Sequence, residues 1–197
     1  MWTLPNIVTM ARIATIPVVV LLIWPGIESR ETCFWAMLIY TIGGISDMFD
    51  GYLARRMGQV SVFGKFLDPL CDKLFYLVPM VALLQLPGPR VPPVVVMIVL
   101  TRELAITGLR GIAISEGIVI AANEGGKVKT SFGTLGMCAL ILHYPYLINY
   151  GPIATLIDFH VVGWWLTLLS VAVSVVSGLA YVRGFQIAVK SGRRPPR

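Results

Sequence analysis

The chain has 197 residues, of which 56% are hydrophobic and only 13% are charged, and its mean hydropathy is +0.79. These values exclude an ordinary soluble domain, because so short a chain lacks the surface to cover all of its long apolar runs. The net charge of +6 is typical of membrane topology and attraction to anionic lipid headgroups, rather than of a nucleic-acid-binding surface. We therefore predict an integral membrane protein with a single domain over residues 1–197.

Six apolar segments follow one another along the chain, each long enough to cross a bilayer at a rise of about 1.5 Å per residue. They lie near residues 5–26, 32–56, 63–86, 91–116, 128–150 and 160–184. Turn-forming sequences separate several of them, at Trp24-Pro25-Gly26, Pro87-Gly88-Pro89 and Tyr150-Gly151-Pro152. Residues 123–126 are expected to form a polar loop, and residues 190–197 a disordered basic tail. The sequence thus predicts an all-α polytopic membrane protein with six transmembrane helices.

The basic residues predict the orientation of these helices. An even number of helices places both termini on one face, and most lysines and arginines from Arg55 to Arg197 fall on that face, whereas Arg30 and Arg90 fall on the other. By the positive-inside rule, both termini are cytoplasmic. The first segment has no basic region before it and contains Arg12, so we expect it to be retained rather than cleaved as a signal peptide.

Four of the ten carboxylates lie within 26 residues of this apolar sequence, namely Asp47, Asp50, Asp68 and Asp72. Asp47 and Asp50 are at i and i+3 near the end of the second segment, and Asp68 and Asp72 are at i and i+4 near the start of the third. Each pair therefore shares a helix face. The loop near residues 57–63 is short enough to make the two helices antiparallel neighbours, so we expect all four carboxylates to meet at one depth.

Ionised carboxylates that are close together in a low-dielectric setting must be protonated or bind cations. Mg²⁺ and Mn²⁺ prefer oxygen ligands, and a four-aspartate cluster suits one or two such ions that also hold a diphosphate. Gly51 and Gly64 lie beside the carboxylates. Because a glycine inside a helix costs about 1 kcal/mol relative to alanine, we interpret both as making room for a ligand. For any one of these aspartates, a packing hydrogen bond or a solvated helix end is the alternative.

The pattern D-x-x-D-G-x-x-A-R, followed after eight residues by G-x-x-x-D-x-x-x-D, resembles the signature of the CDP-alcohol phosphotransferase family. Every fixed position is present: Asp47, Asp50, Gly51, Ala54, Arg55, Gly64, Asp68 and Asp72. The resemblance covers nearly the whole chain, including Asn6, Thr9 and Arg12, Thr101-Arg102-Glu103, Gly108-Leu109-Arg110 and residues 126–130. The departures noticed are Gly111 and Cys71, and neither is expected to touch the chemistry.

The resemblance implies transfer of a phosphatidyl group from CDP-diacylglycerol to sn-glycerol 3-phosphate, which gives phosphatidylglycerophosphate and CMP. It also implies that Asp47, Asp50 and Asp68 hold Mg²⁺ or Mn²⁺, and that Asp72 completes the metal site and acts as general base on the acceptor hydroxyl. A homodimer in the inner membrane of a bacterium, with the active site facing the cytoplasm, is the further expectation.

The same resemblance suggests which residues bind the two substrates. Arg55 is expected to reach the cytidine or diphosphate of CDP-diacylglycerol, with Gly51, Ala54, Gly64, Asn6 and Thr9 completing the donor site. The acceptor phosphate requires several cationic donors, and the candidates are Arg102, Arg110, Lys127 and Lys129. An ion pair with Glu103 is the alternative for Arg102, and plain topology charges are the alternative for the two lysines.

Three other functions remain open from the sequence. A sister enzyme would keep the aspartates and use inositol phosphate, serine or phosphatidylglycerol as acceptor. A prenyltransferase also binds a diphosphate through aspartates, but its usual spacing and helix number differ. A cation transporter would place its carboxylates near the bilayer midplane, whereas these lie near the predicted cytoplasmic ends.

Overall fold

The protein folds into six α-helices and one β-hairpin within the residues that its computed structural model describes, which are 4–57, 62–86, 88, 90–116, 125–149, 151 and 154–190. Within 4–7, 47–57, 62–66 and 125–128 the helices are described but their side chains are not. The elements are α1 (Leu4–Leu22), α2 (Arg30–Met57), α3 (Val62–Ala82), α4 (Pro93–Ser115), α5 (Gly125–Leu142), β1 (Pro145–Asn149), β2 (Ala154–Asp158) and α6 (Phe159–Lys190).

Six α-helices are present among the described residues, which agrees with the predicted number of helices, but the fifth is shorter than predicted. Helix α5 ends at Leu142, and β1 and β2 pair antiparallel with Leu147 opposite Leu156. His143 takes a left-handed φ of 57°, which ends the helix, and Pro145 has no amide hydrogen with which to continue it. Tyr146, Leu147 and Ile148 are bulky residues that a strand accommodates well.

Of the other predicted boundaries, one turn is confirmed and two segment limits are wrong. The turn at residues 24–26 is confirmed, with Gly26 at φ 89°, a conformation that glycine adopts at little cost. The predicted polar loop is wrong in part, because Gly125 and Gly126 already belong to the first turn of α5. Likewise Lys190, the first residue of the predicted tail, is the last residue of α6. Residues 123, 124 and 191–197 lie outside the described residues.

The helices contact one another in the order α3, α1, α2, α5, α6, α4, and α3 also contacts α4 and α5. Small residues permit the closest approaches. A Cβ atom on Gly163 of α6 would lie 2.7 Å from the backbone nitrogen of Leu140 on α5, and one on Gly136 of α5 would lie 2.7 Å from Thr167 Oγ1 on α6. The α5–α6 pair therefore packs backbone against backbone, as is common for helices associating in lipid.

The exterior of the bundle is apolar. Leu104, Ile114, Val176 and Leu179 are all more than half exposed, on three different turns of α4 and α6. Among the described residues, α6 is the one helix long and apolar enough to cross a membrane, and shorter apolar stretches cover 8–22 and 129–142. An outer surface of this kind is typical of a protein that contacts lipid.

One end of the bundle, here called the hairpin end, gathers the connections α1–α2, α3–α4 and α5–α6. Arg90 is buried there, and its guanidinium donates to the Glu28 carboxylate and to the carbonyl oxygen of Ile141 at 3.0 Å. Tyr144 also donates to Glu28, at 2.8 Å, and the Arg90 guanidinium lies 3.4 Å from Cys33 Sγ. These contacts tie three connections together at the end opposite the aspartate motif.

Candidate active site

The first turns of α3 carry two of the four aspartates in the predicted geometry. Asp68 and Asp72 lie one helical turn apart, and both are exposed. Because residues at i and i+4 project from the same face of a helix, the two carboxylates can serve one ligand. The end of the bundle that carries them is called the site end.

Helix α1 packs against α3 and contacts both carboxylates. Thr9 Oγ1 donates to Asp68 Oδ1 at 3.2 Å, and the Arg12 guanidinium donates to Asp72 Oδ1. The side chain of Arg12 is only 5% exposed, whereas that of Asp72 is 59% exposed. Thr9 and Arg12 are three residues apart and share a face of α1, so they lie beneath the carboxylates and hold them from the inside.

Arg12 makes two further contacts with α3. Its Nε donates to Cys71 Sγ at 3.1 Å, and its guanidinium carbon lies 5.3 Å from the centroid of the Phe75 ring, within the range of a cation–π contact. A single side chain of α1 therefore contacts three positions on α3, namely residues 71, 72 and 75.

Phe75 links this arrangement to α2. Its ring stacks on that of Tyr40 with centroids 4.4 Å apart and planes at 10°. The same ring covers Gly43, where a Cβ atom would lie 2.9 Å from Phe75 Cε2. Gly43 is one turn before Asp47 and Phe75 is one turn after Asp72, so this contact sets the spacing of α2 and α3 beside the aspartate motif.

For eight of the predicted site residues, the structure describes the helix but not the side chain. Asp47, Asp50, Gly51, Ala54 and Arg55 belong to the last turns of α2, which continues as a helix to Met57. Asn6 lies in α1, Gly64 in α3 and Lys127 in α5. The side chains of all eight fall outside the description, so the meeting of four carboxylates stays a prediction. Among the side chains that are described, no three metal-binding groups come together.

Two of the four predicted acceptor residues, Arg102 and Lys129, share a half-buried carboxylate that the prediction did not include among them. Glu103 of α4 accepts from Arg102 at 2.9 Å and from Lys129 Nζ of α5. Arg102 also donates to the backbone oxygen of Ser174 and to Ser177 Oγ on α6, each at 3.0 Å. The ion pair with Glu103 is therefore present, and Arg102 and Lys129 are brought together by it.

Arg110 lies apart from this cluster, two turns further along α4. It is exposed, and its guanidinium carbon lies 5.7 Å from the ring centroid of Tyr181 on α6. Its side chain is thus held near α6 with its donors on the outside of the bundle.

Two features of the site were not predicted. Cys71 is a hydrogen-bond partner of Arg12 rather than a neutral departure, and Arg12 pairs with Asp72. The sequence contained a signal for the pairing of Arg12, because an arginine inside an apolar helix commonly pairs with a carboxylate or a backbone carbonyl.

An apolar helical bundle that carries two exposed carboxylates at one end, with buried donors behind them, suits an enzyme that binds a charged substrate. The model of the CDP-alcohol phosphatidyltransferase family matches residues 2–182, and the chain belongs to this family. It is therefore a transferase of phospholipid biosynthesis, which argues against the transporter alternative.

Curated relatives agree with this assignment. A CDP-diacylglycerol–glycerol-3-phosphate 3-phosphatidyltransferase of Bacillus subtilis is 37% identical over 181 residues, covering 84% of this chain and 93% of the relative. A protein of the same description from Rickettsia bellii is 35% identical over 71% of this chain and 75% of its own length. A probable phosphatidylglycerophosphate synthase of Mycobacterium tuberculosis is 32% identical over 91% of this chain and 79% of its own.

Proposed function

We propose that this protein transfers the phosphatidyl group of CDP-diacylglycerol to sn-glycerol 3-phosphate, which yields phosphatidylglycerophosphate and CMP. The names of the relatives from three bacterial genera support this choice of donor and acceptor. The single observation that carries it is the pair of exposed carboxylates, Asp68 and Asp72, held from beneath by Thr9 and Arg12 within the complete family motif.

The donor set suits a hard divalent cation. Carboxylate oxygens on one helix face are the ligands that Mg²⁺ and Mn²⁺ prefer, and Asp68 and Asp72 offer them at an exposed position. We propose that Asp47, Asp50, Asp68 and Asp72 hold one or two such ions. When bound, the ion neutralises the diphosphate and stabilises CMP as the leaving group.

Asp72 is proposed to take the proton of the acceptor hydroxyl. As that proton leaves, the hydroxyl oxygen forms a bond to the lipid-bearing phosphorus, and the bond from this phosphorus to the bridging oxygen breaks, so that CMP departs with the electron pair. The exposure of Asp72 leaves the carboxylate accessible to a substrate from outside the bundle. Gly51, Ala54, Arg55, Gly64, Asn6 and Thr9 are proposed to line the donor site.

The acceptor phosphate is proposed to bind Arg102, Arg110, Lys127 and Lys129. Arg102 and Lys129 already lie side by side around Glu103. Two cations and one carboxylate leave a net positive charge, which suits a phosphate dianion better than the zwitterion serine.

The proposed topology has all six helices crossing the bacterial inner membrane, with both termini and the site end in the cytoplasm. The apolar exterior of the bundle supports this arrangement. A homodimer through membrane helices is the proposed assembly, and bilayer lipids are its surroundings.

An acceptor screen tests the proposed function. The purified protein in mixed micelles with labelled CDP-diacylglycerol is given glycerol 3-phosphate, serine, inositol phosphate or phosphatidylglycerol, and CMP release is measured with and without EDTA. We expect CMP release with glycerol 3-phosphate alone, loss of it with EDTA, and recovery with Mg²⁺ or Mn²⁺. Turnover with serine but not glycerol 3-phosphate would contradict the acceptor assignment.

The same assay separates the roles of two aspartates. Asp72→Asn should lose activity, since the neutral amide cannot accept the proton. Asp158→Asn is the matched control, because Asp158 lies at the hairpin end and caps α6 through the amide of His160 at 2.9 Å, a role that asparagine also fills. Full turnover by Asp72→Asn would show that Asp72 is not the base.

A further inference from the structure

We propose that Arg12 is a positioning residue for Asp72: its buried guanidinium fixes the carboxylate, and with it the first turns of α3, in the orientation that receives the acceptor proton. This inference rests on the proposed function, in which Asp72 faces the acceptor. It assigns to α1 a part in the chemistry through α3, without contact between Arg12 and either substrate.

The first argument is the cost of placing an arginine where Arg12 lies. Its side chain is 5% exposed. Moving a guanidinium out of water costs on the order of several kcal/mol of free energy, even when the group is paired. Its partner Asp72 is 59% exposed, so water screens part of the attraction that would offset this cost. Stability alone therefore does not explain an arginine at this position, and a role on its partner carboxylate does.

The second argument is the asymmetry of the pair. Asp72 is 59% exposed while Arg12 is buried, so the carboxylate is held on its inner side and accessible on its outer side. The guanidinium also donates to Cys71 and contacts the face of Phe75. A planar group held at three points fixes the direction of the bond to Asp72.

The third argument is that the neighbouring turn repeats the arrangement. Thr9, one turn before Arg12, donates to Asp68, one turn before Asp72. Two donors on one face of α1 thus support two carboxylates on one face of α3, as outer ligands of a metal site are commonly supported by a layer of donors behind them.

The chain contains a matched control at the hairpin end. Arg90 is also buried, and it too contacts a carboxylate (Glu28), a cysteine sulfur (Cys33) and an aromatic ring (Tyr144, at 6.0 Å). The difference is that Glu28 is only 19% exposed. The Arg90 pair is closed on both sides and lies at the hairpin end, opposite the aspartate motif, so its role is structural.

The test compares Arg12→Gln with Arg90→Gln, measuring kcat, the KM of each substrate and the melting temperature in the same micelles. For Arg12→Gln we expect kcat to fall by about 10- to 100-fold, the usual loss when a supporting residue is removed, with both KM values nearly unchanged. For Arg90→Gln we expect a lower melting temperature. At assay temperatures below that melting temperature, its kcat should equal that of the wild type. Arg12→Lys should lose less kcat than Arg12→Gln, because its ammonium can still donate to Asp72. The recovery should be partial, because one ammonium cannot bind both Asp72 and Cys71.

Three results would overturn the inference. An unchanged kcat in Arg12→Gln, or in Arg12→Met if the glutamine variant does not fold, would show that Asp72 needs no such support. A raised KM for CDP-diacylglycerol at unchanged kcat would make Arg12 a donor ligand. Equal losses of kcat in the Arg12 and Arg90 variants would make its role structural.

A double variant completes the test. If Arg12 acts through Asp72, Arg12→Gln should cause no further loss of kcat in the Asp72→Asn background, because the two changes remove one function. A further loss equal to that in the wild-type background would contradict the proposal. If the wild-type protein uses another acceptor, the proposed function fails, and the same comparison is made with the acceptor that is used.

Discussion

Replacing Gly43 by alanine should distort the active site by moving Phe75. A Cβ atom at this position would lie 2.9 Å from Phe75 Cε2 and 3.0 Å from Cζ, whereas carbon atoms pack at about 3.5–4.0 Å. The ring would have to move by roughly 0.6 Å to reach the lower limit. It is held on its other sides by Tyr40 and Arg12, so the displacement passes to α3 and hence to Asp72.

The expected magnitude follows from these contacts. Overpacking of this kind typically costs about 1–3 kcal/mol of unfolding free energy, against which alanine regains up to about 1 kcal/mol of helix propensity. A displacement of about 1 Å at a reacting group can lower turnover by about 100-fold, so we expect Gly43→Ala to lose more activity than stability. CMP release and thermal unfolding in the same micelles measure the two effects.

The adjacent glycine provides the control. A Cβ atom on Gly44 would meet Phe75 Cε1 at 3.8 Å and Thr134 Cγ2 at 3.9 Å, which is ordinary contact. Gly44→Ala should therefore keep full activity and gain up to about 1 kcal/mol from helix propensity. The reasoning is refuted if the two variants lose activity equally, or if Gly43→Ala behaves like the wild type.

Three further predictions concern other parts of the bundle. Gly163→Ala should lower the melting temperature, since its Cβ atom would meet the α5 backbone, whereas Gly111→Ala, with open space around it, should not; similar shifts would contradict this. Glu103→Gln leaves two neighbouring cations without their carboxylate, so thermal unfolding should show a loss of about 1–3 kcal/mol, and an unshifted melting temperature would refute it. Burial, and then Arg90, lower the pKa of His143 from 6.5 to about 4. The unfolded chain therefore binds a proton first as the pH falls, so stability should decline from pH 6.5 towards 4, and His143→Asn, which tolerates the left-handed φ, should flatten the decline.

The sequence alone was sufficient to predict the helices and to predict that Asp68 and Asp72 share a helix face, because both depend on local spacing. Long apolar runs form helices wherever caps and prolines allow, and residues three or four apart share a face in any helix. Residues 145–149 could not be assigned in this way. A short apolar run after a helix fits a helix extension and a strand equally well, and the left-handed turn at His143 decides between them.

The partners of buried charges were less accessible to prediction. Arg102 and Glu103 are adjacent in sequence, and their pairing was considered, but Lys129 joins them from α5, because α4 and α5 both pack against α6. Arg12 pairs with Asp72 across 60 positions of the chain. Such contacts depend on the packing order of the helices, which hydrophobic periodicity does not specify.

The distance in sequence between Arg12 and Asp72 has a consequence for biosynthesis. At about 5–20 residues per second, the ribosome completes Asp72 about 3–12 s after Arg12. In the proposed topology, α1 therefore enters the membrane with a charged side chain whose partner does not yet exist. Stable burial of Arg12 on the first helix must therefore wait for the third helix. The site end of the protein is completed as a unit, in a late step that joins α1 and α3.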